Sequence, residues 1–183
     1  MSVRPVRIFG DPVLRQKAQP ITEFDDALRA LVADMHETMK AYEGVGLAAN
    51  QIGIARRLLV VDVPLDDDHR ERHALINPEI TKRSGSETGE EGCLSIPGIY
   101  EDVVRSERLT VRALDEHGQP VEIVADGYLA RAIQHEVDHL DGVLFVDRLS
   151  PLKRQFLRKA LDGLTRGELP EGYPPQSPGE GAR

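Results

Sequence analysis

Apolar side chains recur at helical spacing through residues 25–42, where Leu28, Leu31, Val32, Met35, Met39 and Tyr42 share one face. An amphipathic helix is expected there, with Met35 and Met39 in the core. His36 pairs with no other ligand at a useful spacing and reads as a surface or capping histidine. The unbroken run Leu58-Leu59-Val60-Val61-Asp62-Val63 predicts a buried strand, and Ala74-Leu75-Ile76-Asn77 a second one ended by Pro78. Residues 107–114 and 121–124 alternate apolar and polar around the turn Asp115-Glu116-His117-Gly118, which is a hairpin pattern. Helical spacing returns at Leu129, Ala132, Ile133, Val137 and Leu140, with Asp126 as the expected N-cap and Gly142 as the stop. Leu149, Leu152, Phe156, Ala160, Leu161 and Leu164 mark a last amphipathic helix, whose outer face carries Lys153, Arg154, Arg158, Lys159 and Arg166.

The stretches between these elements are less regular. Residues 5–20, with Pro5, Gly10, Pro12 and Pro20, read as an irregular arm. Gly44-Val45-Gly46-Leu47-Ala48-Ala49-Asn50-Gln51-Ile52-Gly53 fits a tight packed strand after a helix stop and a ligand-facing loop equally well. Its glycines do not follow a strand and open a helix, so a dinucleotide site is excluded. His69 and His73 are four apart but lie in a charged loop without helical periodicity. From Gly167 onward the Pro/Gly-rich sequence predicts a disordered tail, 167–183, beyond one catalytic domain, 1–166.

The chain has 183 residues, enough for one core, and 40% hydrophobic with 30% charged residues is a globular balance. A net charge of −8 argues against free nucleic acid as a partner. No apolar run reaches membrane-spanning length and the N-terminus lacks a secretory core, so a cytosolic, membrane-free protein is expected. The single cysteine, Cys93, has no partner in the chain for a disulfide. It sits in Glu90-Glu91-Gly92-Cys93-Leu94-Ser95-Ile96-Pro97-Gly98, a loop or strand edge.

Chemistry concentrates in Gln134-His135-Glu136-Val137-Asp138-His139, an HExxH pattern on the second predicted helix. Residues four apart on a helix share a face, so His135 and His139 can bind one metal ion. Glu136, next to the first ligand, is placed to act as general base toward a water. A metzincin continuation needs a third histidine at position 145, which is Phe145, and no Glu lies between Glu136 and Glu168. The third ligand is therefore expected upstream. A thiolate and two imidazoles would leave a fourth position for water, the composition of a catalytic rather than a structural site.

Three motifs, Gly44–Gln51, Glu91-Gly92-Cys93-Leu94-Ser95 and Gln134–His139, together with the Ile8-Phe9-Gly10-Asp11-Pro12-Val13-Leu14 arm, closely resemble the peptide deformylase family over residues 4–165. The resemblance implies an α+β fold, with antiparallel sheets packed around a central metal-binding HExxH helix between an N-terminal and a C-terminal helix. It implies removal of the formyl group from N-formylmethionyl peptides and nascent polypeptides, in the bacterial cytoplasm or an organelle. Cys93, His135 and His139 would hold the metal, Fe2+ in the cell, with Zn2+, Ni2+ or Co2+ as substitutes. Glu136 would move the proton, while Gln51 and the Leu94 N–H stabilise the oxyanion. Val45, Gly46 and Gly92 would pair with the peptide backbone as an added strand. The methionine pocket falls on Tyr128, Arg131 and Ala132, where Arg131 is expected to snorkel. The C-terminal helix is the expected ribosome contact. The competing readings are a metallopeptidase cleaving ordinary peptide bonds and a metal-binding, ribosome-associated protein without turnover.

Overall fold

The computed structural model describes residues 2–64, 66 and 69–173. Among these, three α-helices combine with two antiparallel sheets. The larger sheet has the order β1 (Gly46–Ala48), β2 (Leu58–Pro64), β3 (Arg70–Ser84), β6 (Arg108–Leu114), β7 (Pro120–Asp126). A separate hairpin pairs β4 (Glu87–Cys93) with β5 (Ile96–Arg105).

The continuous apolar run of β2 follows from burial on both faces. Leu59, Val61 and Val63 join one core with Leu75, Val111 and helix α2 (Gly127–Leu140). Leu58 and Val60 face the other way, against helix α1 (Asp26–Ala41) through Leu28, Val32, Met35 and Met39. Helix α2 packs on β1, β2, β6 and β7 and is buried from Leu129 to Leu140. A third core joins Ile96, Ile99 and Val103 of β5 to Phe145 and helix α3 (Pro151–Thr165).

Several elements differ from the sequence pattern. Strand β3 does not stop at Pro78 but runs on to Ser84. Pairing with β2 ends at Ile76, and the register to β6 shifts between Ile76 and Glu79. The missing N–H of Pro78 therefore falls at a bulge, where no ladder bond is required. Asn77 adopts a left-handed φ of 52° there, and its side chain bonds the backbone N–H and carbonyl of Ile21. Helix α3 has two apolar stripes, and the one that is buried contains Leu157, Leu161 and Leu164, whereas Leu152 and Phe156 are exposed. His36 is a buried residue, not a surface one, and its Nδ1 has no hydrogen-bond partner among the described residues. Asp126 occupies the N-cap position of α2 without a capping side-chain bond. Of the segment expected to form a tail, Gly167–Tyr173 is described, and residues 174–183 lie outside the described residues.

Candidate metal centre

Helix α2 presents His135 and His139 one turn apart, with ring centroids 5.0 Å apart. Their Nε2 atoms approach to 3.2 Å, and the Cys93 sulfur at the end of β4 lies 3.2 Å from His139 Nε2. One donor atom from each of Cys93, His135 and His139 lies within 4.8 Å of the others. Three side chains from two elements distant in sequence, β4 and α2, thus converge on one point that could hold a metal ion. The donor types fit: a soft thiolate and two imidazoles suit Zn2+ and Fe2+ alike. His135 Nδ1 lies 2.9 Å from Glu91 Oε2, which turns Nε2 toward the cluster. Phe145 stacks on His135 at 6.0 Å, so the position a metzincin would give to a ligand is here an apolar wall.

Glu136 points beside the cluster and is buried, with Oε2 lacking a partner among the described residues. Burial pushes its carboxyl up to about 7, against the lowering influence of His135. Burial and the neighbouring His135 charge push His139 well below the ordinary imidazole value. Burial also opposes charge on His135, but hydrogen bonds to Cys93 and Glu91 outweigh it and hold that imidazole well above. The Gln51 amide takes part from the 3-10 turn after β1. Its Oε1 accepts from the Ala48 N–H at 2.8 Å, which aims Nε2 at Ser95 Oγ, 3.2 Å, and at Cys93 Sγ, 3.6 Å.

A family model described as polypeptide deformylase matches residues 3–155. The chain belongs to the polypeptide deformylase family. A peptide deformylase of Alkalilimnicola ehrlichii is 50% identical over 166 residues, 91% of this chain and 93% of that relative. The crystal structure of a peptide deformylase from Legionella pneumophila matches with a TM-score of 0.83 at 47% identity, covering 91% of this chain and 98% of that one. Peptide deformylase of Ehrlichia chaffeensis in complex with actinonin gives 0.85 at 39% identity, over 92% and 99%.

In this family member a cavity of about 520 Å³ opens over the cluster, between Gly44–Gly46 on one side and Glu90–Leu94 on the other. Tyr128, Arg131 and Ala132 line it as well. Among the described residues β1 is an edge strand of the large sheet and β4 pairs only with β5, so two unpaired edges face each other across the cavity. Leu94 lies in the turn between β4 and β5, and Val45 and Gly92 border the cavity near their strand ends.

Sequence reasoning missed a buried ionic network behind the site. Glu91 accepts from Arg105 at 2.8 and 2.9 Å and from Arg131 at 3.0 Å. Burial raises the Glu91 carboxyl, but the Arg105 guanidinium and His135 outweigh it and hold it at about 2. Arg105 continues to Asp138, which also accepts from Arg148. Arg131 does not snorkel. Its side chain is only 7% exposed, and its guanidinium donates to Glu91 and to the carbonyls of Glu87, Gly89 and Val103. Buried charge demands such pairing. Glu91 could have been suspected from its place beside Gly92-Cys93, but nothing local marks Arg105.

Proposed function

We infer that this chain is a peptide deformylase that removes the formyl group from the N-terminal formylmethionine of newly synthesised polypeptides, using a divalent metal. The observation that carries the reading is the convergence of Cys93, His135 and His139 beside the buried carboxylate of Glu136, in a member of the polypeptide deformylase family. Cys93, His135 and His139 would hold one ion, Fe2+ in the cell, with Zn2+, Ni2+ or Co2+ as substitutes. Helix α2 is then the central element around which the sheets assemble the site. The ion supplies Lewis-acid activation of water and of the formyl carbonyl near neutral pH.

Glu136 takes the proton of the attacking water and returns it to the leaving amine. A carboxyl raised to about 7 is suited to both transfers. The Gln51 amide and the Leu94 N–H donate to the oxyanion that develops on the formyl oxygen. Val45, Gly46 and Gly92 offer backbone groups to the peptide, which lies between the two strand edges as an added strand. Side-chain demands are then few beyond methionine, whose pocket we assign to Tyr128, Ala132 and the stem of Arg131.

Residues 1–166 form the catalytic unit in this reading. The exposed face of α3, with Leu152, Phe156, Arg154, Arg158 and Lys159, is the surface we assign to ribosome docking. We place the protein in the bacterial cytoplasm, and among the described residues no helix is long and apolar enough to cross a membrane. The direct test is formate release from formyl-Met-Ala-Ser, with and without chelator. Chelator-sensitive formate with intact internal peptide bonds is expected. Cleavage between Met and Ala at a comparable rate would make the protein a metallopeptidase instead.

A further inference from the structure

After α3 the chain stays against the body of the protein as far as Tyr173. Gly167 adopts a left-handed φ of 82° and the Glu168 N–H bonds the Gly163 carbonyl, which reverses the chain at the helix end. Leu169 then packs on the third core. A Cβ built on Gly98 would sit 3.0 Å from Pro170 Cγ, so the segment runs tightly over β5. The Tyr173 N–H closes a turn onto the Pro170 carbonyl at 3.2 Å. The Tyr173 hydroxyl donates to the Leu94 carbonyl at 2.6 Å, and its ring meets Tyr42 edge-on at 5.7 Å. Pro170–Tyr173 thereby borders the same cavity as Cys93 and Glu136.

The position of this segment relative to the cleft axis matters. Along the first wall, Ala48 and Gln51 are buried and close one end, while Val45 and Gly44 are half-buried and Glu43 is exposed. A peptide whose formyl group lies at Glu136 therefore leaves past Gly44 and Glu43. Tyr42 and Tyr173 stand at that exit, joined across it to Leu94 of the opposite wall. We propose that Pro170–Tyr173 is an intramolecular strap over the exit of the peptide cleft, closed by the Tyr173–Leu94 bond, and that it must open for long formyl peptides but not for short ones. With the strap in place the cavity keeps about 520 Å³, within the range of a small-molecule site. A formyl dipeptide fits inside, whereas a nascent chain has to displace Tyr173. Apparent affinity for the long substrate then falls by the fraction of molecules in the open state.

The inference rests on the deformylase reading and is tested in the full-length, metal-loaded chain. Tyr173→Ala should lower KM for a formyl-Met decapeptide on the order of 10-fold, and leave formyl-Met-Ala within about 2-fold. Tyr173→Phe keeps the ring, loses the hydroxyl, and should give a smaller gain in the same direction, so it carries the test if the alanine variant misfolds. The chain has no tryptophan, so Tyr173→Trp in a Glu136→Gln background reports the strap without turnover. Its emission should shift to the red on adding the long peptide and stay fixed with the short one. Equal KM changes for both lengths, a rise in both, or emission indifferent to peptide length would overturn the strap. Absence of formate release from formyl-Met-Ala by the unmodified chain would instead count against the deformylase reading.

Discussion

Gly46→Ala adds one methyl group against the Glu136 carboxylate, the proposed general base. A Cβ built there lies 2.9 Å from both Cγ and Cδ of Glu136, with Oε1 closer still. Gly46 has no positive φ, so the backbone itself accepts alanine and the conflict is purely steric. Neither main chain can yield easily, because Gly46 is registered to Val61 of β2 and Glu136 lies in the fully buried part of α2. The Glu136 carboxylate is the part that can move. It must shift by about 0.5 Å at Cγ and Cδ, the gap between 2.9 Å and the 3.4 Å where ordinary contact begins, and by more at Oε1. Misplacing a catalytic group by about 1 Å costs on the order of 10²-fold, so kcat should fall by about 10- to 100-fold. That corresponds to about 1.4–2.7 kcal/mol in the barrier. Overpacking should cost about 1–3 kcal/mol of stability. The assay is kcat and KM on formyl-Met-Ala-Ser with formate detection, beside metal content and thermal unfolding. The proposed backbone pairing with the peptide would survive the substitution, so KM should change less than kcat. A kcat within about 2-fold of the parent, with metal content unchanged, would refute the reasoning, since an effect that small is under 0.5 kcal/mol.

Other perturbations probe the surroundings. Glu91→Gln leaves Arg131 buried without a carboxylate, leaves Arg105 with Asp138 alone, and weakens the hold on the His135 ring. It should cost about 3–5 kcal/mol in denaturant unfolding. It should also weaken metal binding by about 10- to 100-fold in a chelator competition, and unchanged affinity would mean that Glu91 does not orient His135. Burial first, then Arg72 and against Asp62, lowers His36 to about 4 from 6.5. The unfolded chain therefore binds the proton more readily, so the stability held by neutral His36 is full above about pH 6.5 and is lost as pH falls toward 4. Between pH 7.5 and 5 the parent should lose about 2 kcal/mol more than His36→Gln in urea titrations, and parallel pH profiles would contradict the assignment.

The sequence pattern located what depends on local periodicity. Helix α1, strand β2, the β6–β7 hairpin and α2 all appear where apolar spacing put them. The HExxH motif and Cys93 fall in one cluster, because a helical i, i+4 pair needs only one distant partner. Strand β4 showed only as a loop or strand edge around Cys93: Glu87-Thr88-Gly89-Glu90-Glu91-Gly92-Cys93 has no apolar alternation, and the strand is held by pairing with β5. Proline punctuation misled at Pro78, where a bulge removed the usual penalty. The buried stripe of α3 depended on which side Phe145 and Ile99 occupy, which no spacing within the helix encodes. Glu91, Arg105 and Arg131 look like ordinary surface charges because the partners that bury them lie far along the chain. Tyr173 escaped for a different reason, since Pro/Gly-rich composition concealed one aromatic anchor with two specific contacts.

In the proposed mechanism Cys93, His135 and His139 hold the metal while Glu136 moves the proton. Metal stoichiometry and kcat measured together on Glu136→Gln separate the two roles most directly. The substitution keeps side-chain shape and removes basicity. One metal ion per chain as in the parent, an unchanged fold, and kcat lower by about 10²–10⁴-fold are expected. Loss of the metal, or full occupancy with kcat within about tenfold of the parent, would contradict it, since a general base contributes at least about 10².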